Sequence, residues 1–433
     1  MNLTFIGTGY VGLVSGVMMS HIGHNVTCLD TDTFKITKLK EGILPIYEPT
    51  LDQYLLTNLQ EKRLKFVDHY DGDLHHADAI FITLGTPSLP SGEADLRYIF
   101  AAIDNVCKFV NKDCILVIKS TVPPGTANQL LNYLSNKNLR FNIASNPEFL
   151  REGCAVNDFL NPDRIVIGTN NEKATNILRE IYKPIISNNI PLVSCDLVTS
   201  ELIKYASNAF LATKIAFINE MANLCEKINA NVEQLSFGIG LDHRIGAEFL
   251  KAGPGFGGSC FPKDILALSM IAKNHQSDCK LVDAVISANK QRPQYLVDRI
   301  ANILGIVQGK AIAVLGLTFK AGTDDVRSSP AIEIIKLLQA KGANVIAFDP
   351  VGMNNSAKDL KNIKYADSIS EACKDADAIV ITTEWMEFKT LDFTNIVAPL
   401  KLPIIIDLRN ILDSNKLKQK GFKYYSIGQN HEI

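Results

Sequence analysis

Residues 2–30 read NLTFIGTGYVGLVSGVMMSHIGHNVTCLD, and the order of residue types in that stretch decides the fold. Residues 2–6 read as a short buried strand. Gly7, Gly9 and Gly12 follow in the spacing G-x-G-x-x-G, with Thr8, Tyr10 and Val11 between them. Val14, Val17, Met18 and Ile22 then recur at helical spacing, Gly23 breaks the helix, and residues 25–29 form a second strand ending on Asp30. Strand, glycine turn, helix, strand and an acidic residue about twenty positions on is the plan of a dinucleotide-binding βαβ unit. Glycines allow the tight turn and let a pyrophosphate approach the helix N-terminus. Asp30 is placed to accept from ribose hydroxyls and its charge repels a 2′-phosphate, so NAD is expected over NADP. Lys35 either weakens that preference or is a solvated surface lysine.

Working outward, three more apolar runs continue a parallel sheet, at 79–84, 115–119 and 141–145. Each ends in polar residues and turn formers, where ligands bind in such sheets: Gly85-Thr86-Pro87, then Ser120-Thr121-Val122-Pro123-Pro124-Gly125-Thr126, then Asn146-Pro147-Glu148-Phe149-Leu150-Arg151-Glu152-Gly153. On a helical turn Glu148 and Glu152 would face the same way. No further carboxylate or histidine joins them at metal-ligand spacing, so a polar ligand or a water is the expected partner, and no metal.

Residues 196–231 contain neither Pro nor Gly, and apolar residues recur there at helical spacing. One long helix is expected, linking two domains and offering a dimer face. Lys204 and Asn208 share one side of it, as a solvated stripe or as a ligand-facing pair. Farther on stands Ala252-Gly253-Pro254-Gly255-Phe256-Gly257-Gly258-Ser259-Cys260-Phe261-Pro262-Lys263-Asp264. Pro262 suits the first turn of a helix. Cys260 would then sit at a helix N-terminus, where free N–H groups and the dipole favour a thiolate, with Lys263 and Asp264 beside it. The arrangement suits a nucleophilic cysteine with an acid/base group.

The last third echoes the first. A strand at 310–315, a turn at Gly316, a helix at 331–340, a break at Gly342 and a strand at 344–348 lead to Asp349, with further strands at 378–382 and 403–408. The turn lacks the G-x-G-x-x-G glycines and instead carries Lys320 and Arg327, basic groups suited to phosphates unless they pair with Asp324 and Asp325. The expected architecture is α/β: two Rossmann-like, doubly wound parallel-sheet domains joined by a long central helix and a helical middle domain. The boundaries fall at 1–196 for the NAD-binding domain, 197–304 for the central helical domain with its dimer face and 305–433 for the second sheet, expected to hold a phosphorylated ligand other than the dinucleotide.

Composition agrees with a soluble globular chain: 46% hydrophobic, 21% charged and a net charge of −2 over 433 residues. Such a balance offers nothing to nucleic acid or an acidic membrane. Nine cysteines without a C-x-x-C pair suggest reduced thiols in a cytoplasmic setting. The first strand begins beside Met1, which leaves no room for a signal peptide. His75 and His76 read as an exposed loop pair.

A dehydrogenase that oxidises an alcohol only once needs no thiol. A cysteine becomes useful when an aldehyde must be held and oxidised again, because a thiohemiacetal can give up a second hydride and the resulting thioester is then hydrolysed. The glycine-flanked Cys260 stretch, the 120–126 and 146–153 loops, Lys204 with Asn208 and the 316–327 turn together resemble the nucleotide-sugar dehydrogenases, the UDP-glucose/GDP-mannose dehydrogenase family, over essentially the whole chain. The form of 256–264 resembles the UDP-glucose branch. GDP-mannose dehydrogenases are the nearest alternative, and a simple hydroxyacid dehydrogenase, a cysteine hydrolase or acyl transferase and a non-catalytic sugar-nucleotide or NAD sensor explain less of the pattern.

The resemblance implies a homodimer through the central helix that oxidises UDP-glucose to UDP-glucuronate with two NAD per turnover, for polysaccharide or lipid modification. It implies Cys260 as nucleophile. Asp264, through a water, and Lys204 would handle the alcohol proton and stabilise oxyanions, helped by Asn208. Thr121 and Glu148 would position water, with Glu148 as the hydrolytic base. NAD would be lined by Gly7, Gly9, Tyr10, Val11, Gly12, Asp30, Lys35, Thr86, Thr121, Glu152, Lys263 and Arg327. The sugar nucleotide would contact Glu148, Phe149, Leu150, Arg151, Glu152, Lys204, Asn208, Phe249, Leu250, Lys251, Ala252, Gly253, Gly257 and Lys320, with Arg244 lent by the neighbouring subunit.

Overall fold

A computed structural model describes residues 1–111, 113–391 and 404–429, and their contacts divide the chain into two units. Met1–Ser207 with Leu266–His275 make the first, and Asn208–Ile265 with Gln276–Ile433 the second. The first holds eight strands: β1 (Asn2–Ile6), β2 (Asn25–Leu29), β3 (Leu64–Val67), β4 (Ala79–Ile82), β5 (Ile115–Ile118), β6 (Asn142–Ser145), β7 (Ile165–Thr169) and β8 (Leu192–Cys195). They lie in the order β3-β2-β1-β4-β5-β6-β7-β8. β4 and β5 are buried at every position, as expected for strands covered on both faces, and the rings of Phe5 and Phe81 stack at 4.7 Å across β1 and β4. The order reverses at β1, whose neighbours are β2 and β4, which opens the crevice where such sheets bind ligands.

The runs expected to continue a parallel sheet do so as β4, β5 and β6, and two further strands follow. β6 and β7 pair antiparallel, while β7 and β8 pair parallel. Between β6 and β7 lies the six-residue helix Ala155–Leu160.

The second unit holds β9 (Ala311–Leu315), β10 (Asn344–Phe348), β11 (Lys364–Tyr365), β12 (Ala378–Ile381), β13 (Ile404–Asp407) and β14 (Lys423–Ser426), in the order β11-β10-β9-β12-β13-β14. Among the described residues the pairings of these six strands are parallel. Pro403, where the strand at 403–408 was expected to begin, lies outside the described residues. The echo between the two sheets extends to single atoms. Asp30 Oδ2 accepts from the Thr8 N–H at 2.8 Å, and Asp349 Oδ2 accepts from the Leu317 N–H at 2.7 Å. Thr83 Oγ1 donates to the carbonyls of Ile6 and Gly7, as Thr382 Oγ1 donates to those of Leu315 and Gly316.

The proline- and glycine-free stretch forms the 32-residue helix Leu197–Ile228, about 48 Å long at 1.5 Å per residue. Its first turns belong to the first unit and the rest, from Asn208, to the second. Helices Val232–Gly240, Phe261–Asn274 and Lys280–Leu304 follow. Among the described residues no helix is long and apolar enough to cross a membrane.

Candidate active site

The glycine turn after β1 shows why each glycine is there. Gly7 has φ +99°, and a Cβ on Gly12 would lie 1.9 Å from the Gly7 carbonyl oxygen, so these two serve the turn and the helix–strand packing. A Cβ on Gly9 would meet nothing within 4 Å. Gly9 caps the helix Tyr10–His21 with no side-chain hydrogen bond, which leaves bare backbone and helix N–H groups facing open space, a fitting cradle for a pyrophosphate. Asp30 Oδ2 also accepts from Thr8 Oγ1 at 2.8 Å and Lys35 Nζ at 3.0 Å, and Oδ1 from the Asp32 N–H at 3.1 Å. Burial alone would raise this carboxyl, but these donors outweigh it and hold it below the usual range. A charged carboxylate at this place fits ribose hydroxyls. Lys35 is thus tied to Asp30 and is not a free surface cation. Thr86, buried, donates to the Thr121 carbonyl at 2.7 Å.

Tyr10 joins this turn to the loop at 146–153. Its hydroxyl bonds Glu48, and Glu48 in turn accepts from the N–H groups of Gly153 at 2.6 Å and Ala155 at 2.7 Å. Burial first, then the hydrogen bond to Glu48 and the Glu48 charge, raises the Tyr10 pKa and keeps the phenol protonated.

The 146–153 loop is not helical, so the expectation that Glu148 and Glu152 share a face does not hold. Glu148 turns to Lys204 instead: Nζ stands 3.1 Å from Oε1, and Glu148 Oε2 accepts from the Leu150 N–H at 2.5 Å. Lys204 and Asn208 are 4% and 5% exposed, which excludes a solvated stripe. The Lys204 ammonium also lies 5.3 Å from the Phe149 ring centroid, with the Arg164 guanidinium 3.5 Å from the same centroid. Arg151 is exposed and paired with Asp158 at 2.7 Å. Behind this pair lies a group that sequence reasoning missed. Lys119, buried, donates to Asn146 Oδ1 at 3.1 Å and Tyr182 Oη at 3.2 Å. Burial pushes it down to about 8, against the Glu148 charge and with the Lys204 charge. Glu201, one helical turn before Tyr205, was missed as well. It accepts from the N–H groups of Gly125 at 2.5 Å and Ala127 at 2.8 Å and so ties the long helix to the loop after Thr121. Lys119 closes an apolar strand run and Glu201 lies in the stretch without Pro and Gly, and neither pattern distinguishes a buried Lys or Glu from an exposed one.

In the second unit Cys260 stands immediately before the helix Phe261–Asn274. Its carbonyl accepts from the Asp264 N–H at 2.9 Å, and its sulfur lies 3.5 Å from Ser259 Oγ. The expected helix start, with Pro262 in the first turn, is present. Asp264 is 1% exposed. It accepts from Asn208 Nδ2 at 2.6 Å and from Lys263 Nζ at 2.5 Å. Asn208, Lys263 and Asp264 thus form one charged, hydrogen-bonded set a single turn from the thiol. Gly257 and Gly258 are required by the chain itself. A Cβ on Gly257 would lie 2.3 Å from the Ser328 carbonyl oxygen, one on Gly258 2.8 Å from the Phe319 ring, and the Gly258 N–H donates to Arg327 O at 2.9 Å. These contacts seat the cysteine stretch against the 316–328 loop.

The remaining candidates divide. Leu250 and Ala252 are buried, Lys251 is exposed, and Phe249 takes φ +63° with its ring 6.1 Å from that of Phe261. Lys320 lies 5.8 Å from the Phe319 ring centroid. Arg327 makes the salt bridge that was its alternative, 2.7 Å from Asp325, and Arg244 pairs with Asp242 at 2.6 Å on an exposed turn. Among the described residues no group of three or more potential ligands could hold a metal ion.

Comparison with known proteins supplies the context. Residues 1–186 match the NAD binding domain of the UDP-glucose/GDP-mannose dehydrogenase family, 198–291 its central domain and 313–414 its UDP binding domain. The chain is 61% identical to a UDP-glucose 6-dehydrogenase of Rickettsia felis, covering 100% of this chain and 97% of that one. It is 47% identical to one of Rhizobium meliloti, covering 99% and 100%. Among solved structures it is similar to a UDP-glucose dehydrogenase from Pyrobaculum islandicum, with a TM-score of 0.91 and 36% identity over 99% of this chain and 98% of that one.

Proposed function

The chain belongs to the UDP-glucose/GDP-mannose dehydrogenase family, and from that premise we propose that it oxidises UDP-glucose to UDP-glucuronate with two NAD per turnover. The observation that carries this is Cys260 at a helix start, one turn from a buried Asp264 bonded to both Asn208 and Lys263. When bound, NAD accepts a hydride in each of the two oxidations. The Gly7–Gly12 turn, Val11, Asp30, Lys35 and Thr86 would hold it, with Thr121, Glu152, Lys263 and Arg327 contributing.

The chain's own residues do the rest. Asp264, acting through a water, takes the proton of the sugar's C6 hydroxyl as it becomes an aldehyde, and the Lys204 ammonium stabilises the negative charge that develops on the oxygen. The Cys260 thiolate adds to the aldehyde carbon, and the carbonyl electron pair becomes an oxyanion that Lys204 and Asn208 stabilise. Oxidation of this thiohemiacetal leaves a thioester on Cys260. Water positioned by Thr121, with Glu148 taking its proton, adds to the acyl carbon; the C–S bond breaks, the thiolate is restored and the carboxylate leaves. Lys320 and residues 249–253 carry the nucleotide, and Glu148, Phe149, Leu150, Arg151, Glu152 and Gly257 the sugar side. The divisions at 196 and 304 separate NAD, dimerisation and UDP-sugar functions.

A homodimer in the cytoplasm is part of the same proposal, with Arg244 completing the neighbour's sugar site. It is supported by Phe210, Phe217 and Leu224, seven residues apart on the long helix and 67%, 46% and 46% exposed. A stripe of that size on a helix calls for a partner. The decisive experiment measures NADH formed per UDP-glucose consumed. Two is expected, and one or none overturns the proposal.

A further inference from the structure

The stretch that leads to Cys260 poses a backbone problem. Residues 252–258 are all buried, yet they form neither helix nor strand. Buried N–H and C=O groups outside regular structure need other partners. In the second unit, side chains from two helices supply them. From the long helix, Asn219 Oδ1 accepts the Gly253 N–H at 2.8 Å. From helix Lys280–Leu304, Arg292 Nε donates to the Gly253 carbonyl at 3.0 Å. Three residues on, Asn289 makes a two-way contact: Oδ1 accepts the Phe256 N–H at 2.9 Å, and Nδ2 donates to the Phe256 carbonyl at 3.0 Å.

These side chains are themselves held. Arg292, 5% exposed, donates Nη1 to Asn223 Oδ1 at 2.5 Å, and its guanidinium lies 5.4 Å from the Tyr295 ring centroid. Gly255, between the two anchor points, has φ +118°, and a Cβ there would lie 2.7 Å from Asn289 Oδ1. The glycine and the asparagine therefore fit only together. An amide that pairs with one residue's N–H and C=O imitates the partner strand of a sheet, and it fixes that residue's rotation as well as its place.

We propose that Asn289, with Arg292 and Asn219, is the positioning device of the substrate loop, setting residues 253–256 so that the sugar end of the nucleotide meets Cys260. This rests on the assignment of that loop to UDP-glucose given above. None of the three side chains needs to touch the reacting atoms. Asn289 acts through the Phe256 peptide, four residues before the thiol, and Arg292 and Asn219 act through the Gly253 peptide.

The test uses the full-length protein and the substitutions Asn289→Ala and Asn289→Asp, with two readouts. One is hydrogen–deuterium exchange of peptides covering 253–260 and of peptides from 294–304. The other is steady-state kinetics with UDP-glucose and NAD. In Asn289→Ala, exchange at 253–260 is expected to rise about tenfold or more while 294–304 keeps its protection. KM for UDP-glucose rises about tenfold while KM for NAD is unchanged. Asn289→Asp keeps the acceptor for the Phe256 N–H but loses the donor to its carbonyl, and is expected to fall between. Unchanged exchange at 253–260, or an equal rise throughout the helix, overturns the proposal. So does faster exchange with an unchanged KM for UDP-glucose. If the wild type produces no NADH from UDP-glucose, the substrate assignment falls, and exchange at 253–260 alone then decides whether Asn289 sets the loop.

Discussion

Lys204 Nζ stands 3.1 Å from Glu148 Oε1, and both side chains are only 5% exposed. A pair this buried has given up most of its hydration, and each charge depends on the other. The surroundings are not symmetric, because the buried Lys119 feels both charges. Removing Lys204 leaves Glu148 a second cation nearby. Removing the Glu148 charge takes from both lysines the anion they share. Glu148→Gln is therefore expected to lower stability by about 3–5 kcal/mol and Lys204→Met by about 1–3 kcal/mol. The double substitution should cost less than the sum. Chemical denaturation of the three variants checks the order, and equal losses for the two single substitutions would count against a role for Lys119.

The glycine turn gives a paired prediction. Ala at position 9 meets no neighbour within 4 Å, whereas Ala at position 12 drives its Cβ to 1.9 Å from the Gly7 carbonyl oxygen. Gly9→Ala is expected to keep stability within about 0.5 kcal/mol while raising KM for NAD. Gly12→Ala should lose both folding and binding. Thermal melts set beside NAD titrations separate the two, and a Gly9→Ala enzyme with wild-type KM for NAD would remove Gly9 from the cofactor cradle.

Glu201 predicts a pH dependence. Burial pushes its carboxyl up from the ordinary 4.5 to about 7, although the N–H groups of Ala127, Gly125 and Thr126 pull it down. A raised carboxyl pKa means that the folded chain binds this proton more tightly than the unfolded one. The stability so contributed is full below about 4.5 and is lost as pH rises through about 7. Between those values the Tm of the wild type should fall more steeply than that of Glu201→Gln. Melts at about pH 5, 6 and 7.5 test this, and parallel curves for the two proteins would contradict it.

The exposed stripe on the long helix predicts an assembly. Phe210→Glu and Phe217→Glu place charge where a second copy is expected to pack, so either should convert a dimer to a monomer in sedimentation. Catalysis should fall with dimerisation, because Arg244 would no longer reach a neighbour's site. A wild type that sediments as a monomer at all concentrations refutes the dimer.

What the sequence by itself determined was the order of elements and the points where they break. Residues 2–30 and 310–349 could be read as repeats because turns, helix starts and strand periodicity are set by neighbours within a few positions. Cys260 before a helix start was legible for the same reason. Local order did not reveal what covers a face. Lys204 could have been a solvated stripe until Glu148, far away in the chain, was brought to 3.1 Å. Arg327 read as a phosphate ligand or as an ion-pair partner, and only the fold shows its pair with Asp325 at 2.7 Å. The reversal of β7 against β6, the Glu48 contact to Tyr10, the buried Lys119 and the Asn289 bond pair to Phe256 left no mark in the spacing. Burial, counter-charge and the satisfaction of buried backbone depend on residues distant in sequence, so only the tertiary structure decides them.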